Sequence, residues 1–146
     1  MPKRNWLRVL AVWCLLSVST IAWAQGLSTV SDILDRGGNR VGREDLMALI
    51  SGATISGSQV GRPQTTFENV HRADGTLSGR AIDRGMQVTY DGTWSADADG
   101  RLCYDFRNNR GATFKSCTVW FVVDRAYYAS DTDDRRARVY QRDVKR

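Results

Sequence analysis

RLCYDFRNNRGATFKSCTVWFVV, residues 101–123, decides the fold. Side chains alternate in polarity on both sides of Asn109-Arg110-Gly111, and a period of two marks a half-buried strand. If these three residues form a hairpin loop with Gly111 in the left-handed conformation, residues whose numbers sum to 220 face each other across the strands. Cys103 then lies opposite Cys117, and Phe106 opposite Phe114. Leu102, Tyr104, Trp120 and Val122 share the face of the phenylalanines. The cysteines share the other face with Val119 and Phe121. The pair is read as a structural disulfide, which across a loop of about 15 residues stabilises by roughly 3 kcal/mol in the chain-entropy model.

Working outward from the hairpin, the same alternation predicts strands over 53–58, 65–72, 76–82, 86–96, 101–107, 112–123, 126–130 and 136–142. Turn signals stand at Asp74-Gly75, Asp91-Gly92 and Asp99-Gly100. The stretch from Gly57 to Gln64 reads as the most flexible connection. The fold class is therefore mainly β: a small antiparallel meander of seven or eight strands, closed into a bent sheet or barrel because closure removes exposed edges. Two short helices precede it. Ser28 or Thr29 caps the first, through Val30, Ile33 and Leu34, with Gly37-Gly38 ending it. The second, Arg43 to Ile50, has Glu44 and Asp45 in its first turn, Leu46, Met47, Leu49 and Ile50 mostly on one stripe, and Ser51-Gly52 as its stop. Both are expected to act as a lid or plug.

At the N-terminus, Lys3, Arg4 and Arg8 precede an apolar run from Val9 to Leu16, and Ala22-Trp23-Ala24 is a small-x-small site, the pattern of an export signal cut after Ala24. The domain reading is a signal peptide over 1–24, a helical segment over 25–52, a β domain over 53–131 and a basic strand or tail over 132–146. Removing residues 1–24 leaves 122 residues, takes away three of the 21 basic residues and none of the 16 acidic ones, and lowers the net charge from +5 to +2. That weak excess argues against a nucleic-acid partner. Cys14 leaves with the signal, so Cys103 and Cys117 remain as an isolated pair in an oxidising compartment, periplasmic or secreted.

The run ADGTLSG at 73–79, the run GTWSADADGRLCYDF at 92–106 and the second cysteine within SCTVWF resemble small exported proteins of proteobacteria grouped as DUF995-like, a domain of unknown function. The likeness extends from Leu46 to Ser130. It implies a periplasmic, lipocalin-like or otherwise barrel-like β domain and carries no established activity. Gly92-Thr93-Trp94 also echoes the Gly-x-Trp of lipocalins and avidins, although in those folds it belongs to the first strand.

The chemistry offered is that of binding. Trp94, Tyr104, Phe106, Phe114 and Trp120 are the candidates for lining a ligand cavity, or else for filling the core. Arg135, Arg136, Arg138 and Arg142 are the candidates for contact with an anionic envelope surface or another polyanion, set against the reading of a charge-guarded edge strand. Catalytic motifs are missing: no Gly-x-Ser-x-Gly elbow, zinc-protease motif or phosphate loop is present. His71 reads as a strand-end surface residue. Asp97, Asp99 and Asp105, and Asp131 to Asp134, lack the spacing of a calcium loop and read as turn chemistry. No metal or cofactor is expected. The leading functional expectation is a non-enzymatic exported binding module for a small apolar ligand or a protein partner. An inhibitor-like protein that probes an enzyme cleft with its Asn108–Gly111 turn is the alternative. A hydrolase using a carboxylate pair such as Asp91 and Asp105 is third.

Overall fold

The computed structural model describes residues 26–146; the export signal read over 1–24, with Cys14, lies outside the described residues. Helix α1 (Val30–Asp35) opens with a capping box: the Thr29 hydroxyl accepts from the Asp32 amide and the Asp32 carboxylate accepts from the Thr29 amide. It ends at Arg36, after which Gly37 takes φ 78°. Strand β1 (Asn39–Arg40) follows, then α2 (Arg43–Ile50), with the expected limits.

Eight longer strands come next: β2 (Thr54–Gln59), β3 (Arg62–His71), β4 (Thr76–Asp83), β5 (Met86–Ala96), β6 (Leu102–Asn108), β7 (Thr113–Val123), β8 (Ala126–Ser130) and β9 (Tyr140–Lys145). Each pairs antiparallel with its sequence neighbour except that β9 also pairs with β2, so the meander closes into an eight-stranded barrel. Cys103 stands opposite Cys117 and Phe106 opposite Phe114, and Gly111 sits at φ 84° in the hairpin loop. The disulfide is formed, with its Cα atoms 4.0 Å apart.

Alternation along the strands divides the apolar residues into two cores. The barrel interior holds Ile55, Leu77, Tyr90, Trp94, Leu102, Trp120 and Ala129, and α2 closes one end of it with Leu46 and Ile50, both fully buried. The second core lies outside the barrel wall, where α1 lays Val30 and Ile33 over Val119, Phe121, Val123, Tyr128 and Val139. Helix α2 thus plugs, whereas α1 covers. Burying a side chain of this size stabilises by about 1.5–3 kcal/mol, which explains how helices of six and eight residues persist.

Three sequence expectations are corrected. The Gly57–Gln64 connection is a tight hairpin, in which β2 and β3 run on to Val60-Gly61 with a register shift at Ser58/Gln59. Asp91-Gly92 is no turn but the middle of β5, because a Cβ on Gly92 would lie 2.2 Å from the Asp105 carbonyl oxygen and only glycine permits that approach to β6. The last strand is β9, not 136–142. Residues before it leave the barrel to pair with the N-terminal segment: the Val30 amide donates to Ala137, the Ser31 amide to Arg135 and the Val139 amide to Ser28.

Two stability outcomes follow from this packing. Replacing both Cys103 and Cys117 by Ser should lower unfolding free energy by roughly 3 kcal/mol in urea titration; an unchanged midpoint would show that the bridge adds nothing. Gly92→Ala should cost about 3 kcal/mol, since backbone rather than a side-chain tip must yield, and a neutral effect would contradict the close β5–β6 approach.

Candidate functional site at the open side of the barrel

Trp94 and Trp120 point into the barrel near the end plugged by α2. They are almost fully buried, and their indole N–H groups donate to the Arg72 carbonyl (2.9 Å) and the Thr118 hydroxyl (3.1 Å). Both are packed parts of the floor. Tyr104, Phe106 and Phe114 rise from that floor along the interior face of β6 and β7. Phe106 is stacked between Tyr90, at 4.5 Å, and Phe114, at 5.4 Å. Phe114 is 44% exposed, although its position on β7 has the same parity as Trp120. Ser116, also on the inward side, is exposed as well.

That exposure has a topological cause. Residues 119–123 of β7 pair with β8, but β8 ends at Ser130, opposite Val119, and the chain turns outward there. On the far side of the break, β9 begins at Tyr140 and β2 ends at Gln59. The wall is therefore open between residues 113–117 of β7 and the β2–β9 pair.

At this opening lies the largest correction to the sequence reading. Arg142, expected on a basic tail facing a polyanion, points into the barrel and is 6% exposed. It donates to the Ser58 carbonyl at 2.8 Å and the Gln141 carbonyl at 3.1 Å, and its guanidinium lies over the Phe67 ring at 5.1 Å. A Cβ on Gly57 would meet its Nη1 at 2.8 Å, so the glycine makes the space. Among the described residues Arg142 has no carboxylate ion pair. Burial lowers its pKa to about 10, opposed by Tyr104 and Tyr140, and the group stays protonated at neutral pH. The other three candidates lie outside the barrel. Arg135 pairs with Asp35 at 2.7 Å and also bonds Ser31, while Arg136 and Arg138 are exposed.

A polar chain runs beneath Arg142 that the sequence reading missed. The Tyr90 hydroxyl donates to Asn69 Oδ1 at 2.5 Å, the Asn69 side chain acts on the neighbouring Tyr104, and the Tyr104 hydroxyl meets His71 Nε2 at 3.0 Å. His71 is 1% exposed, not a surface residue, and packs edge-on to Trp94. Its Nδ1 has no partner among the described residues. Burial lowers its pKa from 6.5 to about 4, against the opposing effect of the nearby backbone carbonyls of Ala53 and Asn69, and burial also raises the Tyr90 and Tyr104 hydroxyls. One signal for this chain was present in the sequence: Phe67, Asn69 and His71 share the parity that faces Leu77 across β3 and β4.

The acidic candidates sit on the outside. Asp105 pairs with Lys115 at 2.9 Å, Asp91 is exposed, and Asp97 accepts from the Arg101 amide and Nε, both at 2.8 Å. Asp97 approaches Cys103 and Cys117, whose sulfurs are tied up in the disulfide. A depression of about 390 Å³ between Arg40, Arg101, Asp99 and Asp133 holds charges of both signs, with Arg40 bonded to Asp133 at 3.0 Å.

No family model, curated protein or solved structure matches this chain. Among the described residues no helix is long and apolar enough to cross a membrane.

The buried imidazole makes stability depend on pH. The unfolded chain binds a proton at His71 near pH 6.5 and the folded chain only near pH 4, so stability is full above pH 7 and falls as pH drops through that window, by up to about 1.4 kcal/mol per unit. Urea titrations at pH 7.5 and 4.5 should show a loss on the order of 2 kcal/mol in the wild type beyond that in His71→Gln. Equal losses in the two proteins would remove His71 as the cause.

Proposed function

We propose that this chain is an exported, non-enzymatic β-barrel binding module that takes its ligand at the open side of the barrel. The observation that carries the reading is the aromatic run Tyr104, Phe106 and Phe114, which leaves the packed floor and reaches solvent at the break in the wall. An exposed inward-facing Phe114 backed by half-buried Tyr104 and Phe106 suits an apolar small molecule or an apolar segment of a protein partner. The Cys103–Cys117 bridge supports export, because such bonds persist in oxidising compartments. A binding rather than a catalytic role is supported by the carboxylates around Asp97, Asp105 and Asp133, which lie outside the barrel and hold neighbouring cations. We also propose kinship with the DUF995-like exported proteins, supported by the barrel form and the paired cysteines within the matching runs.

One observation favours the inhibitor-like reading as an alternative. The Asn108–Gly111 turn is stiffened by the Asn108 side chain, which accepts from the Arg110 amide at 3.0 Å and the Ala112 amide at 2.9 Å, and a stiff exposed turn suits entry into a cleft.

Native mass spectrometry of protein recovered from the exported fraction tests the proposal. The expected species begins at Gln25, is two hydrogen atoms lighter than the reduced chain, and binds added dodecanoate, with Phe114→Ser weakening that affinity about tenfold while the variant stays folded. An unprocessed chain confined to the cytoplasm would overturn the export reading, and dodecanoate affinity indifferent to Phe114→Ser would overturn the site.

A further inference from the structure

We propose that the free edge of β7 is a strand-addition site for an extended partner peptide that turns a carboxylate side chain inward toward Arg142. The proposal rests on the binding-module reading and specifies its ligand.

The edge is defined by hydrogen-bond parity. In an antiparallel pair, residues that do not exchange hydrogen bonds have the closer Cα atoms, about 4.5 Å apart. Cys103 and Cys117, at 4.0 Å, are such a pair, and the Asn108 amide bonded to the Ala112 carbonyl at 2.9 Å fixes the same alternation at the turn. Thr113, Lys115 and Cys117 therefore aim their N–H and C=O groups away from β6, toward the opening. Among the described residues no backbone hydrogen bond reaches these groups, whereas Val119, two residues on, is paired with Ser130.

Edges of this kind are ordinarily protected by proline, a bulge or an outstretched lysine. The stretch Thr113–Thr118 has no proline and keeps unbroken register with β6. Its one lysine, Lys115, is drawn back by Asp105 of β6, 2.9 Å away. A strand laid along the edge would continue the line that β8 abandons at Ser130, and its alternate side chains would enter the barrel beside Phe114 and Ser116, which are already exposed there.

The charge of the incoming segment is set by what it meets. Arg142 is bonded only to carbonyl oxygens, at Ser58 and Gln141, the residues flanking the opening on its far side. A buried guanidinium without a counter-charge is costly, and an inward carboxylate removes that cost with a charge-assisted hydrogen bond. Arg107 and Arg110 add positive charge on the same hairpin, against Asp105 alone. The partner is thus an extended acidic segment with apolar residues flanking its inward acid, bound by main-chain hydrogen bonds along β7.

The test is a titration of the ¹⁵N-labelled, processed, oxidised protein with the capped peptide Thr-Val-Thr-Glu-Thr-Val-Thr and with its Gln counterpart, followed by amide shifts and hydrogen exchange. The expected result is protection at Thr113, Lys115 and Cys117, a shift of the Arg142 side chain, and affinity about tenfold higher for the Glu peptide. Lys115→Pro, which removes an outward N–H and leaves the β6 ladder intact, should abolish the protection with little change in melting temperature. Equal affinity for the two peptides would overturn the carboxylate assignment. Absence of edge protection with either peptide would overturn strand addition; dodecanoate shifts at Phe106 and Phe114 in that sample would leave the binding module standing, and their absence would sink both. Edge protection that exists without peptide and grows with protein concentration would assign the edge to a second copy of the chain and overturn the proposal.

Discussion

Closure of the barrel depends on six residues, Tyr140–Lys145, which bond to β2 on one side and β8 on the other. Without β9 the sheet would keep two long edges, at β2 and β8, and the interior side chains would lose their enclosure. Pairing fixes parity as well as position. Once Val144 faces inward beside the α2 plug, Arg142 must face inward too. The guanidinium is therefore buried as a consequence of closure, and its surroundings are built to tolerate it: two carbonyl oxygens, the face of Phe67, and a glycine at position 57 that leaves room.

The interior is filled in a graded manner. Near α2 it is apolar and dense, with Leu46, Ile50, Leu102 and Trp120 at 1% exposure or less. Toward the opening it becomes polar, with the hydrogen-bonded pairs Tyr90–Asn69 and Tyr104–His71. A polar interior of this kind penalises alternative packings, since a shift of one strand by a single residue would turn its polar members to the wrong side and leave their partners unsatisfied. The orphaned His71 Nδ1 is the one break in it among the described residues.

The local features were legible in the sequence and the long-range ones were not. The β6–β7 register followed from a three-residue loop with glycine at its end, because such a loop has few geometries. Helix α2 followed from its acidic first turn and the Gly52 stop. By contrast, β9 begins later than the sequence suggests, because its start is set by where Ala137 and Val139 meet α1, a contact between segments far apart in the chain. Arg142 and His71 look like surface residues to any composition argument, and only the ring closure reverses that. Asp91-Gly92 carries a turn signature for an unrelated reason, the need for β5 to approach β6 without a Cβ.

Where β7 loses its second neighbour, the disulfide takes over. Cys117 is the last residue of the unpaired stretch on the side of the opening, and Val119 is the first to gain β8 as a partner. A strand paired on one side only frays toward its end, since each residue there has half the hydrogen bonds of a central strand and exposes both faces. The bridge to Cys103 ties β7 to β6 on the outer face at this boundary, and the Phe106–Phe114 stack ties it on the inner face three residues further out. With both clamps in place, an edge with no backbone partner among the described residues holds an extended conformation, which reduces the ordering cost of adding a strand to it. The bridge so placed steadies the part of the barrel that the ring itself does not.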